Sequence, residues 1–215
     1  DGLREGDFDR ARFDAWATGR TGFAMVDACM RQLSATGWVN FRMRAMLVSF
    51  ATQHLWLHWR QPGLHLAREF LDYEPGIHYP QLQMQAGVTG INTIRVYNPV
   101  KQQRDQDPDG AFVRRWLPAL ANVPTSFLAE PWRMPPSLQQ RSGCVLGTHY
   151  PLPVVDHEQA AREAKALIHA WKRQPETRTA SQQVFVKHGS RLNPKGREGG
   201  GRKTVPAPDR QLALD

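Results

Sequence analysis

The sequence predicts an all-α fold, an irregular cluster of helices around one core. Apolar residues recur at spacings of three and four over several segments, whereas runs of β-branched residues are short and isolated. With 215 residues, of which 40% are hydrophobic, the chain can bury one substantial core. We therefore predict one helical domain over residues 1–192 and a basic, disordered tail over residues 193–215.

Three successive helices are predicted in the first half of the chain. The first extends from Thr21, its N-cap, to Gly37, its stop, with apolar residues every three or four positions between them. The second covers residues 40–59 and is apolar nearly all round, which is typical of a central, buried helix. A shorter third helix over residues 64–72 follows, and residues 72–80 are predicted to be irregular.

Two more helices are predicted further along the chain. Residues 110–121 form one of them, and the turn Asp107-Pro108-Asp109-Gly110 opens it. Asp156 and Gln159 form a capping box for the other, which ends near Lys172.

The composition changes after residue 174. Residues 187–203 hold six basic residues and the single acid Glu198, around a run of three glycines. Such a segment buries too little apolar surface to offset the entropy of ordering it, whereas residues 182–188 can still pack. A solvated tail and a segment that binds nucleic acid both fit this pattern.

The overall composition limits the classes of protein to which the chain can belong. The 28 basic and 20 acidic residues give a formal net charge of +8, which suits a polyanionic partner. Two cysteines without metal-ligand spacing favour a reducing compartment. No apolar run approaches the ~20 residues of a membrane span, and the charged N-terminus is unlike a signal peptide. We expect a soluble, cytoplasmic protein that does not interact with membranes.

Three patterns imitate metal sites without completing them. Residues 105–110 match the front of a calcium loop, but Trp116 stands where a bidentate carboxylate belongs, so a turn is the better interpretation. His54 and His58 have the spacing of zinc ligands on a helix, but no third ligand follows at a suitable distance. His157 begins a zincin-like motif that lacks its second histidine. We predict no metal site.

Two further patterns are open to a structural and a functional interpretation. Arg42 and Arg44 begin an apolar helix, so they need an acidic partner or a bound anion to offset desolvation. Asp72 and Glu74 are candidate partners in a salt bridge without a ligand. The chain also has seven tryptophans, which either pack in the core or carry electrons to a redox cofactor. They are Trp16, Trp38, Trp56, Trp59, Trp116, Trp132 and Trp171.

Four blocks occur in an order and at a spacing that point to one family. They are Gly19–Arg44, Tyr97-Asn98-Pro99, Asp107-Pro108-Asp109-Gly110 and Arg114–Pro118. From about Phe13 to Trp132, and more weakly to Arg191, the chain resembles the FAD-binding helical domain of photolyases and cryptochromes. The resemblance implies FAD as the cofactor and DNA containing pyrimidine dimers as the partner. The implied activity is that of a deoxyribodipyrimidine photo-lyase, which transfers an electron from excited reduced flavin to a dimer flipped into the pocket.

The resemblance also implies a set of cofactor-binding residues. Arg44 and Asp72 fall where the family has an Arg–Asp pair beside the flavin ring. Tyr73 and Glu74 follow them, and Glu74 takes the place of an aspartate. His78 stands where photolyases carry an asparagine that faces flavin N5, and an imidazole there is expected to titrate near neutrality.

The family's electron relay and dimer contacts are altered. Trp59 matches the middle member of the relay and is the predicted catalytic residue, with Trp56 as a possible substitute one turn away. Leu82 replaces the flavin-proximal tryptophan of the relay, and Met84 replaces a tryptophan that contacts the dimer. Phe41 replaces an asparagine that neighbours the substrate. We interpret these changes as typical of a bacterial and plant branch of the family.

The resemblance places seven residues at the DNA, through phosphate or base contacts. They are Phe41, Arg42, Met84, Arg95, Gln102, Lys187 and Arg191. By this resemblance, we expect the chain to begin after the position of the family's N-terminal antenna domain and of the Thr-Ser-x-Leu-Ser stretch that grips the FAD phosphates. One expectation is therefore a separate chain that supplies this part. The favoured function is light-driven repair; a cryptochrome-type photoreceptor and a flavin-free nucleic-acid-binding remnant are the alternatives.

Overall fold

The computed structural model of the chain describes residues 3, 4, 6, 8–89 and 94–188. This part of the chain forms eleven α-helices and, as its only β structure, an isolated bridge between Leu146 and Tyr150, which confirms the all-α prediction. The helices are α1 (Arg10–Ala17), α2 (Ala24–Thr36), α3 (Phe41–Ser49), α4 (Arg60–Glu69), α5 (Pro75–Ala86), α6 (Pro99–Gln106), α7 (Ala111–Trp116), α8 (Thr125–Leu128), α9 (Pro136–Ser142), α10 (His157–Arg173) and α11 (Pro175–His188). None of these helices is long and apolar enough to cross a membrane.

Helix α2 begins differently from the prediction and ends where it was predicted to end. Gly37 adopts the left-handed conformation, with a φ of 70°, and its N–H donates to the carbonyl of Leu33. The prediction of Thr21 as N-cap is wrong, because Phe23 occupies that position and makes no side-chain cap. The hydroxyl of Thr21 instead donates to the carboxylate of Asp27, one turn inside the helix.

The single helix predicted over residues 40–59 is divided. Asn40 caps α3 by accepting a hydrogen bond from the N–H of Met43, and a π-helical turn, Phe50–His54, follows α3. The helix then ends, and Trp56 has a φ of 56°. The expectation that this segment is buried on all sides is wrong for its first turn, because Phe41 and Arg42 are exposed. Beyond that turn, the side chains of α3 are half-buried or buried.

The positions of helices α4 and α5 differ from the prediction for residues 64–80. Helix α4 lies earlier than predicted, at Arg60–Glu69, and the stretch predicted to be irregular contains most of the first two turns of α5. Glu74 caps α5 by accepting from the N–H of Gly76, and Pro75 occupies the first helical position. Proline is favourable there because its φ is already helical and its missing N–H would have no partner.

The Asp-Pro-Asp-Gly turn is a helix cap. The two carboxylate oxygens of Asp107 accept from the N–H groups of Phe112 and Val113 at 3.0 and 2.9 Å, at the start of α7. The helix predicted over residues 110–121 is shorter, because Pro118 cannot continue α7 and starts a 3₁₀ turn, Pro118–Leu120. Within the described residues, no group of three His, Cys, Asp or Glu side chains could hold a metal ion.

The predicted helix after residue 156 is confirmed as α10. Asp156 accepts from the N–H groups of Glu158 and Gln159, whereas the side chain of Gln159 reaches forward to Glu163, so the capping box is one-sided. The last predicted packing segment, residues 182–188, lies within α11. The domain boundary at 192 and the disordered tail lie outside the described residues.

Helix α2 lies between two apolar clusters. One cluster joins α2 to α3 and includes Met30, Leu33 and Met46. The other joins the opposite side of α2, through Ala24 and Ala28, to α7 and the segments after it. The start of α2 is tied down by Asp27, a fully buried carboxylate that accepts four hydrogen bonds. The donors are the N–H and Oγ1 of Thr21, the N–H of Gly22 and the hydroxyl of Tyr150.

Candidate functional site

Helices α3, α4 and α5 enclose a cleft of about 170 Å³. Its walls are mainly apolar, and its polar groups come from the first turn of α3, from the loop before α5 and from one face of α5. The lining residues are Phe41, Arg44, Ala45, Val48, Leu66, Phe70, Asp72, Tyr73, Glu74, Ile77, His78, Gln81, Leu82 and Gln85. The cleft therefore brings together all five residues that the sequence predicts for the cofactor: Arg44, Asp72, Tyr73, Glu74 and His78.

The side chain of Arg44 is fixed on three sides. Its Nη2 donates to Oδ2 of Asp72 at 2.9 Å, and its Nε donates to the carbonyl of Val39 at 2.8 Å. Its guanidinium carbon lies 4.2 Å from the centre of the Phe70 ring. The hydrogen bond from Arg44 lowers the pKa of Asp72, so this carboxylate is ionised at neutral pH. The salt bridge predicted as one interpretation of Arg44 is present, and it lies in the wall of a cleft.

His78 presents a neutral imidazole to the cleft. Its Nε2 lies 2.9 Å from the carbonyl oxygen of Gly63, and because a carbonyl only accepts, Nε2 carries the proton. Desolvation lowers the pKa of His78, and the charge of Arg44 lowers it further, although the hydrogen bond to Gly63 partly opposes them. The pKa of His78 therefore lies below its usual value, and its expected role beside flavin N5 stays a prediction.

The loop before α5 forms the rim of the cleft. Glu74 is occupied in capping α5, at 3.1 Å from the N–H of Gly76, so its carboxylate also stabilises the helix that carries His78. Tyr73 is 37% exposed, and its hydroxyl donates to that of Tyr79 at 3.3 Å.

Sequence reasoning missed Gln81. It lines the cleft, and its Oε1 is buried without a hydrogen-bond partner. A buried acceptor of this kind costs free energy unless a ligand or water donates to it. Its spacing from His78 is three residues, so a helical reading of residues 75–86 would have placed both side chains on one face.

The lining of the cleft suits a planar heteroaromatic ring. Apolar walls suit the two faces of such a ring, and the polar groups can bind its edge. The isoalloxazine ring of a flavin offers one N–H donor and several acceptors along its edge. Gln81 supplies an unpaired acceptor, Arg44 a fixed cation, and His78 a ring nitrogen without a proton. The residues present therefore fit a flavin.

The residues predicted to contact DNA are only partly brought together. Phe41 lines the cleft and is 62% exposed, and Arg42 follows it on the exposed first turn of α3. Met84 is half-buried outside the cleft lining, Arg95 is exposed, and Gln102 is buried. The side chain of Lys187 and the whole of Arg191 lie outside the described part of the structure. The DNA contacts of all seven residues stay predictions.

The two tryptophans of the predicted relay have different surroundings. Trp59 is half-buried against the core and does not line the cleft, and its ring centre lies 6.3 Å from that of Tyr79. Trp56 lies under the guanidinium of Arg4, at 4.4 Å, and lines a second cavity of about 400 Å³. His54 also lines that cavity and stacks on Phe50 with ring centres 5.0 Å apart.

Comparison with known proteins identifies the family. The chain is 41% identical over 180 residues to a cryptochrome DASH of Gloeobacter violaceus, covering 80% of this chain and 36% of that protein. It is 36% identical over 162 residues to a deoxyribodipyrimidine photo-lyase of Alkalihalophilus pseudofirmus, covering 74% of this chain and 34% of the relative. The chain thus spans about a third of the length of these relatives.

Solved structures and a family model agree with these relatives. A bacterial class III photolyase from Agrobacterium tumefaciens superposes with a TM-score of 0.73 at 32% identity, covering 80% of this chain and 36% of the photolyase. The model of the FAD-binding domain of DNA photolyase matches residues 3–170, which supports the predicted cofactor, FAD. The chain therefore belongs to the family of photolyase and cryptochrome FAD-binding domains.

Proposed function

We propose that this chain is the flavin-binding part of a light-driven DNA photolyase that acts on pyrimidine dimers. The observation that carries the proposal is the cleft itself. There the Arg44–Asp72 pair lies in the wall of an apolar pocket whose buried acceptor on Gln81 has no partner. A salt bridge that only stabilises the fold would not require such a pocket or such an acceptor.

The residues of the cleft would hold and tune the cofactor. FAD, when bound and reduced, supplies the electron that splits the dimer after light absorption. Arg44 places a fixed positive charge in the cleft wall, where it offsets negative charge on an electron-rich ring. His78 keeps its proton on Nε2 and leaves Nδ1 as an acceptor. The apolar side chains around them exclude water and so strengthen these interactions.

The mouth of the cleft offers contacts for DNA. Phe41 exposes an aromatic face on which an unstacked base can pack, a contact worth ~1–3 kcal/mol per base. Arg42, beside it, can pair with a phosphate. The net charge of +8 favours association with a polyanion. Repair of dimers, the DNA partner and the cytoplasmic location are parts of this proposal. The comparisons do not support the separate chain predicted for the upstream part.

A cryptochrome-type photoreceptor without repair activity is the second candidate function. Leu82 favours it, because this cleft residue is aliphatic where the family resemblance implies a relay tryptophan. Illumination of the FAD-loaded protein with dimer-containing DNA separates the two functions, because loss of dimers occurs only with a photolyase.

The first test is an absorbance scan of the purified protein, with the released chromophore identified by chromatography. We expect FAD in the wild type, its loss in Arg44→Ala, and its retention in Arg10→Ala, which removes an exposed ion pair on α1. Retention of FAD by Arg44→Ala would contradict the assignment of the cleft. A colourless protein whose DNA affinity falls steeply with salt would support the flavin-free alternative.

A further inference from the structure

The residue near Trp59 that lines the cleft is aliphatic. Leu82 lines the cleft, whereas Trp59 does not. Gly63 lies against both: a Cβ built on it would be 2.9 Å from Cδ1 of Leu82 and 3.7 Å from Cε3 of Trp59. Trp59 and Leu82 therefore lie near each other, and Leu82, the one of the two that lines the cleft, has no π system that could be oxidised.

Trp56 is a poor substitute for the replaced tryptophan. The guanidinium of Arg4 lies 4.4 Å from its ring centre, and Arg4 is itself fixed by hydrogen bonds to Gln53 and Ala86. Removal of an electron from Trp56 would place a second positive charge against that cation in a buried site. Trp56 also lines a different cavity from that of the Arg44–Asp72 pair.

A pair of tyrosines bypasses Leu82. The ring of Tyr79 lies 6.3 Å from that of Trp59 and 6.3 Å from that of Tyr73, which lines the cleft. The two phenol oxygens are 3.3 Å apart and share a hydrogen bond. His78 packs edge-on against both tyrosine rings, at 5.2 and 5.1 Å, and so holds them in this arrangement.

We propose that the Tyr73–Tyr79 pair is the immediate electron donor to the cofactor in the cleft, in place of a tryptophan at position 82. This inference rests on the proposed function, because it takes the oxidised FAD of that function, excited by light, as the electron acceptor. Trp59 is then the next aromatic ring beyond the pair.

The transfer balances as a one-electron, one-proton step. Tyr73 gives one electron to the photoexcited oxidised flavin and releases its phenolic proton to water, to which its side chain is open. The hydroxyl of Tyr79, which accepted from Tyr73, then turns to donate to the phenoxyl oxygen of Tyr73. It passes a hydrogen atom across the 3.3 Å contact, which restores the phenol of Tyr73 and leaves a neutral phenoxyl radical on Tyr79. A soluble thiol, oxidised in turn, returns a hydrogen atom to Tyr79.

The first test needs no cofactor. Azide radicals, made by pulse radiolysis of the flavin-free full chain, oxidise indole rings in preference to phenols at neutral pH. We expect a first-order conversion of indolyl into phenoxyl radical, followed by absorbance. Tyr79→Phe and Trp59→Phe should each slow it about tenfold or more, which corresponds to about 1.4 kcal/mol in barrier height.

Matched variants make this test decisive. Tyr97→Phe and Trp56→Phe remove a phenol and an indole outside the proposed path and should leave the fast phase unchanged. An unchanged rate in Tyr79→Phe, or a rate that depends on protein concentration, would overturn the inference.

The second test uses the protein loaded with FAD, under blue light and with a soluble thiol. The yield of reduced flavin should fall about tenfold in the Tyr73→Phe/Tyr79→Phe double variant and stay unchanged in Trp56→Phe. Wild-type photoreduction by the double variant would refute the tyrosine pair and leave the proposed function intact. Failure to retain FAD would refute the proposed function. In that case the radical-transfer experiment on the flavin-free chain would still show whether electrons pass between Trp59 and Tyr79.

Discussion

Replacement of Asp27 by asparagine should change both the stability of the protein and the pH dependence of that stability. Asp27 accepts four hydrogen bonds at 2.6–3.0 Å in the interior. An asparagine that keeps its oxygen towards Thr21 places its amide against the N–H of Gly22 and the hydroxyl of Tyr150. The hydroxyl can turn to accept, but the N–H of Gly22 is left without an acceptor.

The expected loss of stability in Asp27→Asn follows from the unpaired N–H of Gly22. A buried donor without a partner costs about 1–3 kcal/mol, and part of this is returned because the variant no longer buries a charge. We therefore expect the free energy of unfolding to fall by about 2 kcal/mol at neutral pH. Urea denaturation measures it, and Asp109→Asn, a change of an exposed carboxylate, is the control.

The pH dependence gives the sharper test. Burial raises the pKa of Asp27 to about 6 from its ordinary value of 3.8, and the four donors only partly oppose this rise. Because the folded state binds the proton more tightly, the stability contributed by protonation is complete below the unfolded pKa and is lost as the pH rises through about 6. The stability difference between wild type and Asp27→Asn should therefore grow by about 1.4 kcal/mol from about pH 7.5 to about pH 5. An equal difference at both pH values would refute the reasoning.

Three further predictions concern the cleft and one helix end. Gly37→Ala should lower the free energy of unfolding by about 2–3 kcal/mol, because a Cβ there would overlap Leu71. The control is Gly143→Ala, at a left-handed helix end with open space, which should lower the free energy of unfolding by only about 1 kcal/mol. Equal losses in urea titrations of the two variants would show that the overlap is relieved freely. Arg44→Lys should weaken FAD binding about tenfold, or about 1.4 kcal/mol, because an ammonium cannot make both fixed hydrogen bonds; unchanged affinity by fluorescence titration would contradict this. FAD affinity should show no transition assignable to His78 between about pH 6.5 and pH 8, because burial lowers its pKa. A transition in that range that disappears in His78→Gln would disprove the neutral assignment.

The sequence predicted the fold class because helical periodicity survives wherever a helix has one buried face. The prediction from sequence was wrong at helix boundaries that depend on local backbone geometry. The π-helical turn at Phe50–His54 keeps the apolar pattern of an ordinary helix, so the end of the helix near Trp56 could not be read from residue spacing. Helix α5 was missed because Pro75 and Pro80 resemble loop residues, although a proline at the first helical position is compatible with a helix.

The candidate site was predicted through family resemblance more than through physical pattern. Charge alone suggested that Arg44 needs a partner, and the resemblance selected Asp72, to which the structure shows a hydrogen bond. The protonation state of His78 and the unpaired acceptor of Gln81 depend on burial, which sequence spacing does not encode. The same limit explains why the contact between Tyr73 and Tyr79 was not foreseen.

The position of α2 between two apolar clusters has a consequence for local opening of the fold. Its opposite faces belong to the cluster shared with α3 and to the cluster shared with α7, so neither cluster can open without disturbing this helix. The backbone amides of α2 should therefore exchange with deuterated solvent only when the whole domain unfolds, whereas those of the rim loop before α5 exchange through small local fluctuations. The cleft can thus admit a ligand at its rim while helix α3, which forms part of its wall, stays packed against α2.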